Sequence, residues 1–148
     1  MRASIATLTL LCLAPLACQS AEPVTLSPAV THLVKPVLTS FALYAKNETT
    51  VTTAKFEAAL DAVLFDRSPV GTEALAVLAG IYIGEHGAED VSCELVARGA
   101  SALPHLQNLS TGVVTVPGIN MRSFHRTPGE YAIILERIQR GEHCEREP

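Results

Sequence analysis

Tryptophan is absent from this 148-residue chain, and only four phenylalanines and three tyrosines supply aromatic bulk. The core must then come from Leu, Val, Ile and Ala, a composition that suits packed helices. Catalytic signatures are missing as well. The chain has no nucleophile elbow, phosphate loop, dinucleotide fingerprint or paired zinc cysteines. A non-enzymatic role without a cofactor is therefore expected. There is no basic excess: the formal net charge is −4, which argues against a nucleic-acid partner. Beyond residue 18 no apolar run reaches the roughly 18 residues that a bilayer-spanning helix needs.

One apolar run is present, at the start. Residues 3–17, ASIATLTLLCLAPLA, carry no charge and follow Arg2. A charged start, an apolar middle and small residues at its end make a secretory signal, so export is expected. The segment Leu16-Ala17-Cys18-Gln19 resembles the leader of bacterial lipoproteins, with a small residue before the cysteine and Pro15 where that pattern usually has leucine. The resemblance implies that Cys18 is acylated as the first mature residue and ties the protein to a membrane by its lipid. Gln19, in place of Asp, implies an outer-membrane lipoprotein facing the periplasm or the surface. Ordinary cleavage near Ser20 or Ala21 is the alternative, and would yield a soluble periplasmic or secreted protein. The organisation expected is a signal peptide over 1–17, a tether over 18–27 and a single helical domain over 28–148.

Four cysteines are present: Cys12, Cys18, Cys93 and Cys144. Cys12 leaves with the leader, and Cys18 is either acylated or removed. Two thiols remain in a compartment where disulfides persist, so Cys93 is expected to bond Cys144. Closing a loop of about 50 residues stabilises by roughly 3–4 kcal/mol in the chain-entropy model.

The domain is expected to be all-α, a single compact bundle of five to six helices. Ser27-Pro28 is a cap followed by a first-turn proline. Val30, Leu33, Val34, Val37, Leu38 and Phe41 continue as one stripe, and Pro36 inside it predicts a kink or two short helices. Residues 47–53 read as a loop. A second helix is predicted over 54–65, with Phe56, Leu60, Val63 and Leu64 on one face. A third is predicted over 72–86, apolar nearly all round and hence central. Gly80 and Gly84 on it read as close-packing points for a crossing helix. A fourth helix opens at Glu89 and Asp90 and closes at Gly99. Residues 98–109, RGASALPHLQNL, resemble one HEAT-type helical unit, with Gly99, Ala102, Leu103, Pro104, Leu106 and Leu109 in the matching order. The resemblance implies a HEAT-like helical hairpin. Thr127-Pro128-Gly129-Glu130 has the form of a capping box opening the last helix, whose buried stripe is Ile134, Leu135 and Ile138, with Ile133 at its margin.

The candidate site is the irregular loop near 111–126, TGVVTVPGINMRSFHR. It gathers Met121, Arg122, Phe124, His125 and Arg126, and aromatic and Arg residues carry much interface energy. Phe124 would anchor a partner and the arginines would pair with its acids. The tripeptide Gly-Glu-His occurs at 84–86 and at 141–143. Both copies are expected at helix C-termini, where the dipole favours His. His86 and His143 are the weak candidates for a metal site if the two ends meet. Acids crowd residues 48–94 and arginines crowd 98–140, either as faces that neutralise each other or as a two-faced surface orienting a charged partner. The function expected is a non-catalytic protein-binding module of the envelope, such as an immunity or inhibitor protein, whose protein partner is unknown. The alternatives are a structural or assembly accessory of the envelope and a metal-binding protein using His86 and His143.

Overall fold

A computed structural model describes residues 23–144. The chain runs β1 (Pro23–Thr25), α1 (Pro28–Lys46), α2 (Thr50–Leu64), α3 (Pro69–Ala79), α4 (Glu85–Arg98), α5 (Leu103–Ser110), β2 (Val113–Thr115) and α6 (Gly129–Gln139), with 3₁₀ turns at Gly99–Ser101 and Met121–Ser123. The described residues make an all-α bundle of six helices carrying one small two-stranded sheet. Helix α3 is central. Its residues from Gly71 to Ala79 are buried except Glu73, and it packs on α1, α2, α4 and α5. One apolar cluster draws side chains from all six helices and from β2.

Helix α1 starts as its sequence requires: Ser27 Oγ accepts from the Val30 amide at 3.2 Å and Pro28 occupies the first turn. Pro36 does not divide it. The donor that proline lacks would have met the His32 carbonyl one turn back. His32 and Pro36 both lie on the exposed side, where the loss is best tolerated. Helix α2 begins at Thr50, inside the segment read as a loop. Thr49 caps it through a reciprocal box with Thr52, the Thr49 amide donating to Thr52 Oγ1 at 2.8 Å and the Thr52 amide to Thr49 Oγ1 at 3.2 Å. Threonine takes the place of the usual Glu or Gln, which hid the signal.

The third helix is shorter than its apolar pattern predicts. It ends at Ala79, and residues 81–84 are not helical. The segment 125–127 terminates it from outside. The Thr127 amide donates to the Gly80 carbonyl at 3.0 Å, Thr127 Oγ1 donates to the Ala79 carbonyl at 3.1 Å, and the Tyr82 amide donates to the His125 carbonyl at 2.9 Å. Gly80 is a close-packing point: a Cβ there would stand 2.1 Å from the Tyr131 hydroxyl oxygen of α6. Gly84 is not on the same helix. It takes φ +86° at the start of α4, which therefore opens at Glu85 and not at Glu89.

Thr127 serves α3 and gives no side-chain cap to α6, so the predicted capping box does not form. Tyr131 and Ile134 are the buried residues of α6, Leu135 and Ile138 are half-buried, and Ile133 is exposed. Residues 98–110 hold the end of α4, a 3₁₀ turn and α5, with Ala102, Leu106 and Leu109 buried; α5 packs on α3 and α6 and not against α4, so the expected HEAT-like hairpin is not formed. The end of the expected tether belongs to the fold. β1 pairs in parallel with β2, Val24 opposite Val114, and Leu26 is buried.

Candidate functional site

The loop after β2 is held at several points. Val114 and Val116 are buried, and Pro117-Gly118 makes a tight turn closed by the Ile119 amide donating to the Val116 carbonyl at 3.0 Å. Asn120 Oδ1 accepts from the Arg122 amide at 3.2 Å and starts the 3₁₀ turn. Arg126 donates through Nη2 to the Val114 carbonyl and its backbone bridges Ile81. The five residues expected to meet a partner therefore divide. Met121 and Phe124 are half-buried against the core, and Arg126 ties the loop to β2. Arg122 and His125 are exposed. The His125 ring stands edge-on to Tyr82, with centroids 6.4 Å apart.

Phe124 and His125 come together in the lining of a groove of about 620 Å³, where the loop meets the C-terminal half of α1. Tyr82, Phe41, Leu43 and Lys46 complete its walls; Met121, Arg122 and Arg126 do not line it. Tyr82 was hidden from sequence reasoning because it falls inside the apolar run of 75–83, and only its exposed position beside His125 reveals it. Across the α1 ridge lies a larger groove of about 810 Å³. Leu26, Pro28, Pro36, Leu43 and Pro117 supply its apolar surface, and His32, Lys35 and Lys55 its basic groups. Thr39 and Leu43 border both grooves, and Leu43 is 50% exposed. The chain has three lysines, Lys35, Lys46 and Lys55, and each lines one of these two grooves. Neither lining contains an Asp or Glu.

Elsewhere most arginines are engaged internally. Arg98, with its side chain 4% exposed, donates from Nε to Glu94 at 3.1 Å, from Nη1 to Thr72 Oγ1 at 2.9 Å and from Nη2 to the Leu64 carbonyl at 3.0 Å. Glu94 is 2% exposed and also meets Arg67. Cys93 and Cys144 are bonded, with Cα atoms 5.4 Å apart. Arg137 sits beside this bridge, donating to Ser92 Oγ at 3.0 Å, Glu142 at 3.1 Å and Cys144 Sγ at 2.8 Å. Arg140 pairs with Glu136 and Glu142. Four of the five arginines in 98–140 thus have partners within the fold, but only Arg98 pairs with an acid of 48–94.

Two titrations bear on this architecture. Burial pushes the Tyr131 phenol up to about 12, against the opposing pull of the Arg126 charge. Hydrogen bonds from Ser68 hold the Asp66 carboxyl below its ordinary range, at the turn that opens α3.

The two Gly-Glu-His copies are not equivalent. His86 lies in the first turn of α4, at the end where the dipole disfavours a cation, so the expected C-terminal capping role is corrected. His143 follows the end of α6, and both imidazoles are exposed. Among the described residues no group of three or more His, Cys, Asp or Glu is placed to hold a metal ion, and Cys144 is committed to the disulfide. Cys18 lies outside the described residues. No helix among the described residues is long and apolar enough to cross a membrane. No protein-family model, curated protein or solved structure matches this chain.

Proposed function

We propose that this protein is a non-catalytic binding module of the cell envelope, exported by its leader, tethered through an acylated Cys18, and engaging another protein. The observation that carries this is the groove at the junction of α1 and the 117–125 loop, lined by Tyr82, Phe124, His125 and Leu43. It is apolar in the main, it is open to solvent, and its loop is held by backbone bonds at both ends. A surface ordered before binding loses less conformational entropy on association. The lack of any catalytic motif and the size of the domain fit an immunity or inhibitor role.

A photocrosslinking residue placed at Tyr82 or at Asn120, in the full chain expressed in its own host, tests the partner surface. Both positions should yield the same discrete adduct, and exposed Val51 and Phe65, outside the groove lining, should yield none. Equal labelling at all four, or at none, removes the proposal. The tether is tested by intact mass: the membrane fraction should hold a species that starts at Cys18 and carries acyl mass. A soluble species starting near Ala21 would make the protein diffusible.

A further inference from the structure

We infer that the larger groove beside α1 binds a single-chain amphiphilic anion, a long-chain carboxylic acid, with the chain along the apolar floor and the carboxylate at Lys35 and Lys55. This groove is separate from the proposed partner surface and shares only Thr39 and Leu43 with it.

The shape comes from α1. Its lining residues, Pro28, Thr31 and His32, Lys35 and Pro36, Thr39 and Ser40, and Leu43, recur at three- and four-residue steps along one stripe. The stripe from Pro28 to Leu43 runs about 22 Å at 1.5 Å per residue, with Lys35 near its middle. Leu26 and Pro117 form the opposite wall, and Lys55 reaches in from α2. The floor offers few free polar groups. Ser40 Oγ is turned back into its own helix, donating to the Pro36 carbonyl at 2.7 Å and lying 3.0 Å from that of Val37. Its volume of about 810 Å³ lies in the range of small-molecule sites, its surface is mostly apolar, and Lys35 and Lys55 both border it.

Charge selects the head group. The chain has 15 acidic residues against 11 Lys and Arg, yet none of the acids lines this groove while two of the three lysines do. Among the described residues neither Lys35 nor Lys55 is within ion-pair distance of a carboxylate. The Lys35 ammonium lies against the 117–118 turn: a Cβ on Gly118 would stand 2.8 Å from Nζ. An anion under that arm would gain a charge-assisted hydrogen bond without displacing an existing partner.

The test is calorimetric titration of the purified full chain, free of detergent, with hexadecanoate, dodecanoate, methyl hexadecanoate and hexadecyltrimethylammonium, each below its aggregation threshold. Hexadecanoate should bind saturably at one site, and dodecanoate should be weaker by about tenfold or more, because each buried methylene adds to affinity. Lys35→Gln with Lys55→Gln should weaken hexadecanoate by roughly tenfold, since each exposed ion pair is worth about two- to fivefold, and should leave the methyl ester unchanged. Circular dichroism of the double variant checks that it folds. Absence of hexadecanoate binding, equal affinity for the ester or the cationic amphiphile, or indifference to both lysine changes overturns the inference. So does association with phosphatidylglycerol vesicles alone, which would make the lysines a membrane-surface contact.

Discussion

The two sides of this bundle treat their basic residues in opposite ways. Around α4 and α6 the arginines are paired within the fold. Arg98 is buried against Glu94, Arg67 closes on the same carboxylate, and Arg137 braces the Cys93–Cys144 bridge. Around α1 the lysines stand at groove edges whose linings hold no carboxylate. The difference follows from side-chain chemistry. Guanidinium presents several donors in a fixed plane and can be satisfied in the interior, whereas an ammonium on a flexible stem stays hydrated and available. The α4–α6 side is held by internal ion pairs and a disulfide, and the α1 side is where we propose binding.

Six variants sharpen that contrast, in falling order of effect. Glu94→Gln leaves the Arg98 guanidinium buried without its counter-charge and should cost about 3–5 kcal/mol in denaturant unfolding. A loss under about 1 kcal/mol would mean that Thr72 and the Leu64 carbonyl suffice to hold it. Replacing Cys93 and Cys144 together by Ser should cost roughly 3–4 kcal/mol in the chain-entropy picture. It should also free the tail after α6 to limited proteolysis; unchanged cleavage would show that Arg137 holds the tail alone.

Tyr131 links the two sides through pH. Its folded pKa lies above the unfolded value near 10, so its contribution is intact below pH 10 and lost as pH rises toward 12. On the order of 2 kcal/mol of stability should fade across that window, and Tyr131→Phe should flatten it. An unchanged alkaline slope in the variant would assign the loss to other groups. The smallest effects belong to the α1 side. Lys35→Gln, Lys55→Gln and Tyr82→Ser should each shift stability by no more than about 0.5 kcal/mol. A larger loss at any of the three would mark that residue as part of the framework and not of a binding surface.

Legibility in the sequence varied with the range of the interactions. Ser27-Pro28 and Ser68-Pro69 announce α1 and α3 because a cap and a first-turn proline are adjacent in the chain. The capping box at 49–52 was missed because it uses Thr in both roles. The one at 127–130 was expected and is absent, because Thr127 is taken by the end of α3, 48 residues away. Phe124 and His125 were legible as candidate site residues through the irregular loop around them. Tyr82 and the lysines of α1 were not, since no local pattern marks which face of a helix borders a groove.

The sequence by itself determined the leader pattern, the helical class, the stripes that build the core and, through cysteine arithmetic, the Cys93–Cys144 bond. Each depends on residues near one another in the chain or on composition, where period and capping act locally. Only the tertiary structure decided where α3 stops, that Arg126 serves β2 more than a partner, that 23–26 joins the sheet and core, and that all three lysines edge two grooves. Those outcomes turn on which carbonyls, hydroxyls and charges meet across tens of residues, and packing, not periodicity, settles them.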